Sequence, residues 1–137
     1  MRDEVTATCV LLADRHHGLS EGVRGLLETA FETVFLVADE ASLLEGVMRL
    51  QPTMVVADVA LAKGDMPRMV RLLREGLPGV KVLLLSVHDE PALAQAGIDA
   101  GANGVVLKRA IATDLLTAVE AVLGGKRFIS PAVTVER

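Results

Sequence analysis

The chain has 137 residues, of which 51% are hydrophobic and 23% charged, a balance typical of a single globular domain. Fourteen basic residues against eighteen acidic ones give a formal net charge of −4, which argues against direct nucleic-acid binding by this segment. Three phenylalanines, with no tryptophan or tyrosine, provide no stacking surface for single-stranded nucleic acid. The longest apolar stretches fall far short of the roughly 20 residues needed to span a bilayer, so no membrane contact is predicted.

Cysteine content and the N-terminal residues indicate the cellular compartment of the protein. Cys9 is the single cysteine, so an internal disulfide is excluded and no cysteine–histidine metal cluster is indicated. A lone thiol favours a reducing compartment. The acidic start, Met1-Arg2-Asp3-Glu4, is unlike a signal peptide. We therefore expect a cytoplasmic protein.

Short apolar runs alternate along the chain with segments whose apolar residues recur at helical spacing. The runs, interpreted as strands, cover residues 8–13, 34–38, 53–57, 80–85 and 105–107. The helical segments that follow them fall at about residues 19–30, 43–50, 67–76, 91–100 and 115–123. Pro52 closes the second helix, Pro67 suits the first turn of the third, and Gly124 stops the fifth.

The order of these elements predicts the fold class. None of the strands shows the alternation of a sheet wetted on one face, which favours a parallel sheet covered on both faces. Five successive strand–helix units with right-handed crossovers form an open, doubly wound α/β sheet. Sites in such sheets lie at the carboxyl ends of the strands. Polar side chains follow or end four of the strands, namely Asp14, Asp58, Ser86 and Lys108, and form the candidate site.

These four residue types suit phosphoryl transfer to an aspartate. The Asp58 carboxylate, at the end of an apolar central strand, can act as a nucleophile towards a phosphoryl donor. The transferred group carries about two negative charges, which the Lys108 ammonium and the Ser86 hydroxyl would stabilise. Asp14 would help to hold a hard cation such as magnesium. The alternative is that polar residues end these strands only because the chain leaves the core there.

From about residue 8 to residue 131 the sequence resembles the response-regulator receiver domains of two-component signalling. The resemblance rests on Leu11-Leu12-Ala13-Asp14, Val55-Val56-Ala57-Asp58, Leu84-Leu85-Ser86 and the segment from Gly101 to Lys108. It implies a flavodoxin-like (βα)5 fold with strand order 2-1-3-4-5. It makes Asp58 the phosphoacceptor, Ser86 and Lys108 its catalytic partners, and Asp14, Asp58 and the backbone carbonyl of Ala60 the ligands of Mg²⁺.

Two further segments, residues 14–24 and 122–131, are similar to the LuxR/NarL type of this family. In that type a linker and a DNA-binding output domain normally follow. The resemblance implies a receiver domain at residues 1–125, with residues 126–137 forming a C-terminal tail or the start of a linker to a missing output domain. Its partners would be a histidine kinase and a second copy of the chain, its outcome would be transcriptional regulation, and it would not be an enzyme.

One position departs from the family pattern. Arg15 stands where the second acidic residue normally binds the metal, so magnesium binding is expected to be weak or absent. Either the Arg15 guanidinium reaches Asp58 and takes over part of the cation's role, or it points into solvent. If phosphorylation is lost, the chain is a pseudo-receiver that acts as a protein-interaction module without phosphate exchange.

Further expectations concern the surroundings of the site. His16 and His17 lie on the loop above it and are expected to be solvated. The loop from Leu61 to Met66 lacks the family's usual proline and glycine pattern, which predicts a weakly constrained backbone. A small enzyme with Asp58 as nucleophile is a third interpretation, disfavoured because no second base or substrate pocket is indicated.

Overall fold

The computed structural model describes residues 9–134, apart from the side chains of His17 and Thr134. Within this range six parallel strands form one sheet in the order β2-β1-β3-β4-β5-β6. The strands are β1 (Cys9–Ala13), β2 (Thr33–Val37), β3 (Met54–Asp58), β4 (Lys81–Ser86), β5 (Gly104–Leu107) and β6 (Phe128–Ile129). The helices are α1 (His17–Leu27), α2 (Glu40–Leu50), α3 (Met66–Gly76), α4 (Pro91–Ala100), α5 (Ile111–Leu123) and α6 (Pro131–Thr134).

Two hydrophobic clusters cover the two faces of the sheet. Successive side chains of a strand point to opposite faces, so Leu11 of β1 packs in the cluster that includes α2 and α3. Its neighbour Leu12 packs in the other cluster, with α1 and α5. The same division separates Leu84 from Leu83 on β4. Each fully buried leucine contributes about 1.5–3 kcal/mol to stability, and the doubly wound α/β prediction is confirmed.

The edge strand β2 departs from the prediction of a sheet covered on both faces. Phe35 and Leu36 are 37% and 40% exposed, whereas every residue of β3 is buried. The difference arises because β2 has a neighbouring strand, β1, on one side alone. The candidate site lies at the carboxyl ends of the buried inner strands.

A sixth strand follows α5, where the sequence predicted none. The two-residue strand β6 pairs with β5, and the buried Ser130 side chain fastens the segment to the sheet. Its hydroxyl accepts the Leu107 N–H at 3.0 Å and donates to Asp114 at 2.8 Å. Strand order 2-1-3-4-5 is confirmed with this addition, while the predicted domain boundary at residue 125 stays a prediction.

Local interactions explain several helix boundaries. The Asp65 carboxylate caps α3 by accepting the Arg68 N–H at 3.2 Å, and Pro67 occupies its first turn. Gly101 ends α4 with φ of 118°, a conformation that glycine adopts without strain. None of the helices in the described residues has the length and hydrophobicity of a membrane-spanning segment.

The segment after β3 is more ordered than expected. A 3₁₀ helix at Val59–Ala62 follows the strand, with Leu61 and Ala62 buried. The Lys63 N–H donates to the Ala60 carbonyl at 3.2 Å, and the Asp65 N–H donates to the Ala62 carbonyl at 3.1 Å. The expectation of a weakly constrained loop is therefore wrong, because hydrogen bonds and buried side chains replace the missing proline and glycine.

Candidate functional site

The parallel register brings two carboxylates together at the carboxyl edge of the sheet. Ala13 of β1 lies opposite Ala57 of β3, so the next residues along, Asp14 and Asp58, are neighbours. Both are buried, with 5% and 2% of their surface exposed. Lys108 follows β5 directly and begins a short 3₁₀ helix. The three residues predicted from three separate strand ends are therefore found in one place.

The Lys108 ammonium joins the two carboxylates. Its Nζ lies 2.7 Å from Asp58 Oδ2 and 3.0 Å from Asp14 Oδ2. Two buried carboxylates this close would repel each other and would be costly to desolvate. The ammonium lies close to both carboxylates and compensates one of their two negative charges, and its own side chain is only 9% exposed.

His16 also belongs to the site, although the sequence predicted a solvated residue. Its Nδ1 lies 3.0 Å from Asp14 Oδ1, 3.6 Å from Asp58 Oδ2 and 3.3 Å from Lys108 Nζ. The ring remains 55% exposed, but its nitrogen faces the acidic centre. The His16 N–H donates to the Asp14 carboxylate at 2.9 Å, a turn that aspartate forms with the residue two positions later. The separation of two residues between Asp14 and His16 was the feature of the sequence that could have predicted this contact. The His17 side chain lies outside the described residues.

Ser86 ends β4 at the same edge but is bonded elsewhere. Its fully buried hydroxyl accepts the His88 N–H at 2.9 Å and donates to the His88 carbonyl at 3.1 Å. In this arrangement the hydroxyl is held by the loop that leads to α4. Its predicted role toward the phosphoryl group stays a prediction.

Ala60 contacts the acidic centre through its backbone. Its N–H donates to Asp58 Oδ1 at 3.0 Å, while its carbonyl accepts the Lys63 N–H. A carbonyl oxygen has a second lone pair, so this hydrogen bond does not by itself prevent metal coordination. The predicted ligand role of the Ala60 carbonyl stays a prediction.

Arg15 does not form the contact that the sequence suggested. It is exposed and lines the cleft beside Asp58, but among the described residues no hydrogen bond or ion pair joins these two side chains. No contact in this arrangement supports the interpretation in which the guanidinium takes over part of the cation's role at Asp58, and that interpretation stays a prediction. Lys108 neutralises the carboxylate instead.

The donor atoms of the site fit a divalent cation. One ligand atom each from Asp14, His16 and Asp58 lies within 4.8 Å of the other two. Asp14 Oδ2 is buried and forms no hydrogen bond, its close partner being the Lys108 ammonium. Such an oxygen is suited to a cation, whereas Arg15 supplies no ligand.

A cleft of about 930 Å³ gives access to Asp58. Its lining includes charged and polar side chains, among them Arg15, His16 and Lys108. The cleft is also lined by apolar residues, among them Val59, Met66 and Leu93. The Asp58 carboxylate is buried but lies at the wall of an open cleft, where a donor group can reach it.

Comparison with known proteins decides the family. The response regulator receiver domain family matches residues 10–120. The chain belongs to this family. The crystal structure of a two-component response regulator of the LuxR family from Aurantimonas sp. SI85-9A1 is 28% identical, with a TM-score of 0.84 over 93% of each chain. The resemblance to this type and the flavodoxin-like fold predicted from the sequence are thereby confirmed.

Some relatives are longer than this chain. The transcriptional regulatory protein DegU of Brevibacillus brevis is 33% identical over 91% of this chain and 54% of its own length. A solved structure of RcsB from Salmonella enterica serovar Typhimurium, bound to a promoter with the phosphomimetic BeF3−, is 26% identical with a TM-score of 0.78. It is covered over 65% of its length, against 94% of this chain. The chain therefore spans between half and two thirds of these relatives.

Proposed function

We propose that this receiver domain accepts a phosphoryl group on Asp58 from a partner histidine kinase. The observation that carries the proposal is the ion pair of 2.7 Å between Lys108 and a buried carboxylate that faces an open cleft. Burial removes competing water, and the ammonium is positioned where negative charge accumulates during the transfer. The proposal makes the chain a signalling module and not an enzyme.

In the proposed reaction, an Asp58 oxygen forms a bond to phosphorus. The bond from phosphorus to the donor atom breaks, and its electron pair leaves with the donor. Lys108 then pairs with the phosphoryl oxygens in place of the free carboxylate. A divalent ion, held by Asp14, Asp58 and the Ala60 carbonyl, would supply further positive charge to the transferred group.

The phosphoryl group also gives Ser86 a new acceptor. In the unphosphorylated arrangement its hydroxyl donates to His88, and a phosphoryl oxygen is a stronger, charged acceptor. Exchange of that hydrogen bond would release the His88 backbone and move the loop that precedes α4. We propose that this movement changes dimerisation between two copies or the activity of an output domain.

We propose transcriptional regulation as the biological outcome, supported by the names of relatives such as DegU. The lone Cys9, whose thiol pKa is raised by burial, is compatible with the reducing cytoplasm that we propose as its location. Direct contact of this segment with nucleic acid or membrane is not part of the proposal.

Mass spectrometry after incubation with a divalent ion and a small phosphodonor such as acetyl phosphate tests the phosphorylation. We expect one phosphoryl adduct on the wild-type chain and none on Asp58→Asn. The control Asp99→Asn, at an exposed position of α4, should be modified normally. Absence of an adduct on the wild type would overturn the proposal and favour the pseudo-receiver, with Arg15 in place of the metal-binding acid.

A further inference from the structure

We propose that His16 makes this pocket a site for a divalent ion that accepts nitrogen ligands, such as Zn²⁺, Co²⁺ or Ni²⁺, in preference to Mg²⁺. The inference deepens the proposed function, since the ion would bind beside the phosphoacceptor. It does not require phosphorylation, because it concerns metal binding to the unmodified chain.

The first support is the convergence of three donors of mixed type. His16 Nδ1 lies 3.0 Å from one oxygen of Asp14 and 3.6 Å from Asp58 Oδ2. The three ligand atoms are at most 4.8 Å apart. One ion can therefore contact all three after small side-chain adjustments. The set is one imidazole and two carboxylates.

The second support is that a cation already lies among these donors. The Lys108 ammonium contacts Asp58 Oδ2 at 2.7 Å, Asp14 Oδ2 at 3.0 Å and His16 Nδ1 at 3.3 Å. It therefore marks one position towards which two carboxylates and an imidazole nitrogen point. An ion bound by Asp58 Oδ2 and His16 Nδ1 would compete with the ammonium for these two atoms.

The donor chemistry selects the ion. Magnesium requires oxygen ligands in near-octahedral geometry, and Arg15 removes the acidic side chain that would supply one of them. Imidazole suits zinc, nickel and related ions, which accept mixed nitrogen and oxygen ligands. His16 therefore supplies a ligand that zinc uses well and magnesium does not.

The backbone already orients this ligand. The His16 N–H is fixed to Asp14 Oδ1 at 2.9 Å, so the histidine and the first aspartate are held as one unit. The imidazole is 55% exposed and is not packed in the core. Replacement of its side chain should consequently leave the fold intact, so a change in metal affinity can be attributed to the loss of the imidazole.

Equilibrium titration of the unphosphorylated chain with Zn²⁺, Co²⁺ and Mg²⁺ tests the proposal. We expect Zn²⁺ and Co²⁺ to bind more tightly than Mg²⁺. His16→Asn should weaken both by at least about tenfold, since loss of even an outer-shell partner of a metal ligand typically costs 10–100-fold. It should change Mg²⁺ binding little. The matched control is His88→Asn, an exposed histidine whose ring makes no contact with the acidic centre.

A second readout identifies the bound nitrogen. In the ¹⁵N-histidine spectrum, Zn²⁺ should shift Nδ1 of His16 and leave the ring of His88 unchanged. Equal loss of affinity in the two variants would indicate adventitious binding to histidines, and an unaltered His16→Asn titration would indicate carboxylate ligands alone. Either result overturns the proposal. Neither concerns the phosphoryl adduct at Asp58, so failure here is distinct from failure of the proposed function.

Discussion

Three aspartates at or just beyond the ends of apolar strands have different roles in this fold. Asp14 follows the inner strand β1 and Asp58 ends the inner strand β3, and they are 5% and 2% exposed and share one ammonium. Asp39 lies two residues beyond the edge strand β2, where its carboxylate caps α2 by accepting the Ser42 N–H at 2.7 Å. The same local sequence pattern therefore yields a candidate reaction centre in one place and a helix cap in another.

The position of the strand in the sheet explains this difference. An inner strand has neighbours on both sides, so a carboxylate at its end is surrounded by other strand ends and needs a compensating charge. The edge strand leaves Asp39 in solvent, where the nearest unpaired donors are the N–H groups at the start of α2. Charge compensation at Asp14 and Asp58 depends on Lys108, and removal of that residue tests the comparison most severely.

Lys108→Met should cause the largest loss of stability. It leaves two buried carboxylates facing each other without a cation, and removal of one partner of a buried ion pair typically costs about 3–5 kcal/mol. Urea unfolding measures this loss as a lower midpoint. Adding Asp14→Asn to the same chain should recover part of it, because only one buried charge then remains uncompensated.

Lys126→Met, at an exposed lysine, is the control and should unfold close to the wild type. Zn²⁺ should raise the midpoint of Lys108→Met more than that of Lys126→Met, since the ion would take the position of the missing ammonium. A Lys108→Met chain as stable as the wild type would show that the two inner aspartates need no compensating charge, and the contrast with Asp39 would fail.

Arg15→Asp tests how residue 15 affects metal binding beside the two inner aspartates. The substitution restores an acidic residue beside Asp14, and an additional carboxylate should strengthen Mg²⁺ binding by about tenfold or more, equivalent to about 1.4 kcal/mol. Isothermal titration with Mg²⁺ measures the change, and Arg24→Asp on α1 provides a control for net charge. Equal Mg²⁺ affinities in the wild type and Arg15→Asp would mean that residue 15 plays no part in metal selection.

Much of this fold and part of its site follow from residue patterns. Five apolar runs predicted the strands, and the carboxyl-edge rule for parallel sheets predicted that Asp14, Asp58 and Lys108 meet. The sequence did not reveal His16 as a neighbour of Asp58, because a turn after β1, rather than a strand, directs its ring. Nor did it reveal β6, since two residues carry no periodicity.

The direction of Arg15 was equally inaccessible from sequence. A long side chain in a loop has many rotamers of similar energy, and the competing ammonium comes from Lys108, far away along the chain. Long-range compensation of this kind depends on tertiary distances of 2.7 and 3.0 Å. Patterns of neighbouring residues contain no such distances.

Asp39→Asn should have the smallest effect and should depend on pH. Asparagine preserves the capping acceptor but removes the charge that interacts with the start of α2. The backbone hydrogen bond from Ser42 lowers the pKa of Asp39, so its charge stabilises the fold above the pKa of the unfolded chain. That contribution is lost as the pH falls through the lower folded-state pKa.

Urea midpoints of the wild type and Asp39→Asn should therefore differ slightly at about pH 7 and converge progressively as the pH falls below the ordinary aspartate pKa of about 3.9. Asp99→Asn, at another aspartate on a helix, controls for the loss of one negative charge. A difference that persists unchanged at low pH would contradict this role, because a protonated Asp39 carries no charge for asparagine to remove. Convergence would instead identify Asp39 as a charged cap whose effect is local, in contrast to the two inner aspartates whose charges are compensated across the sheet.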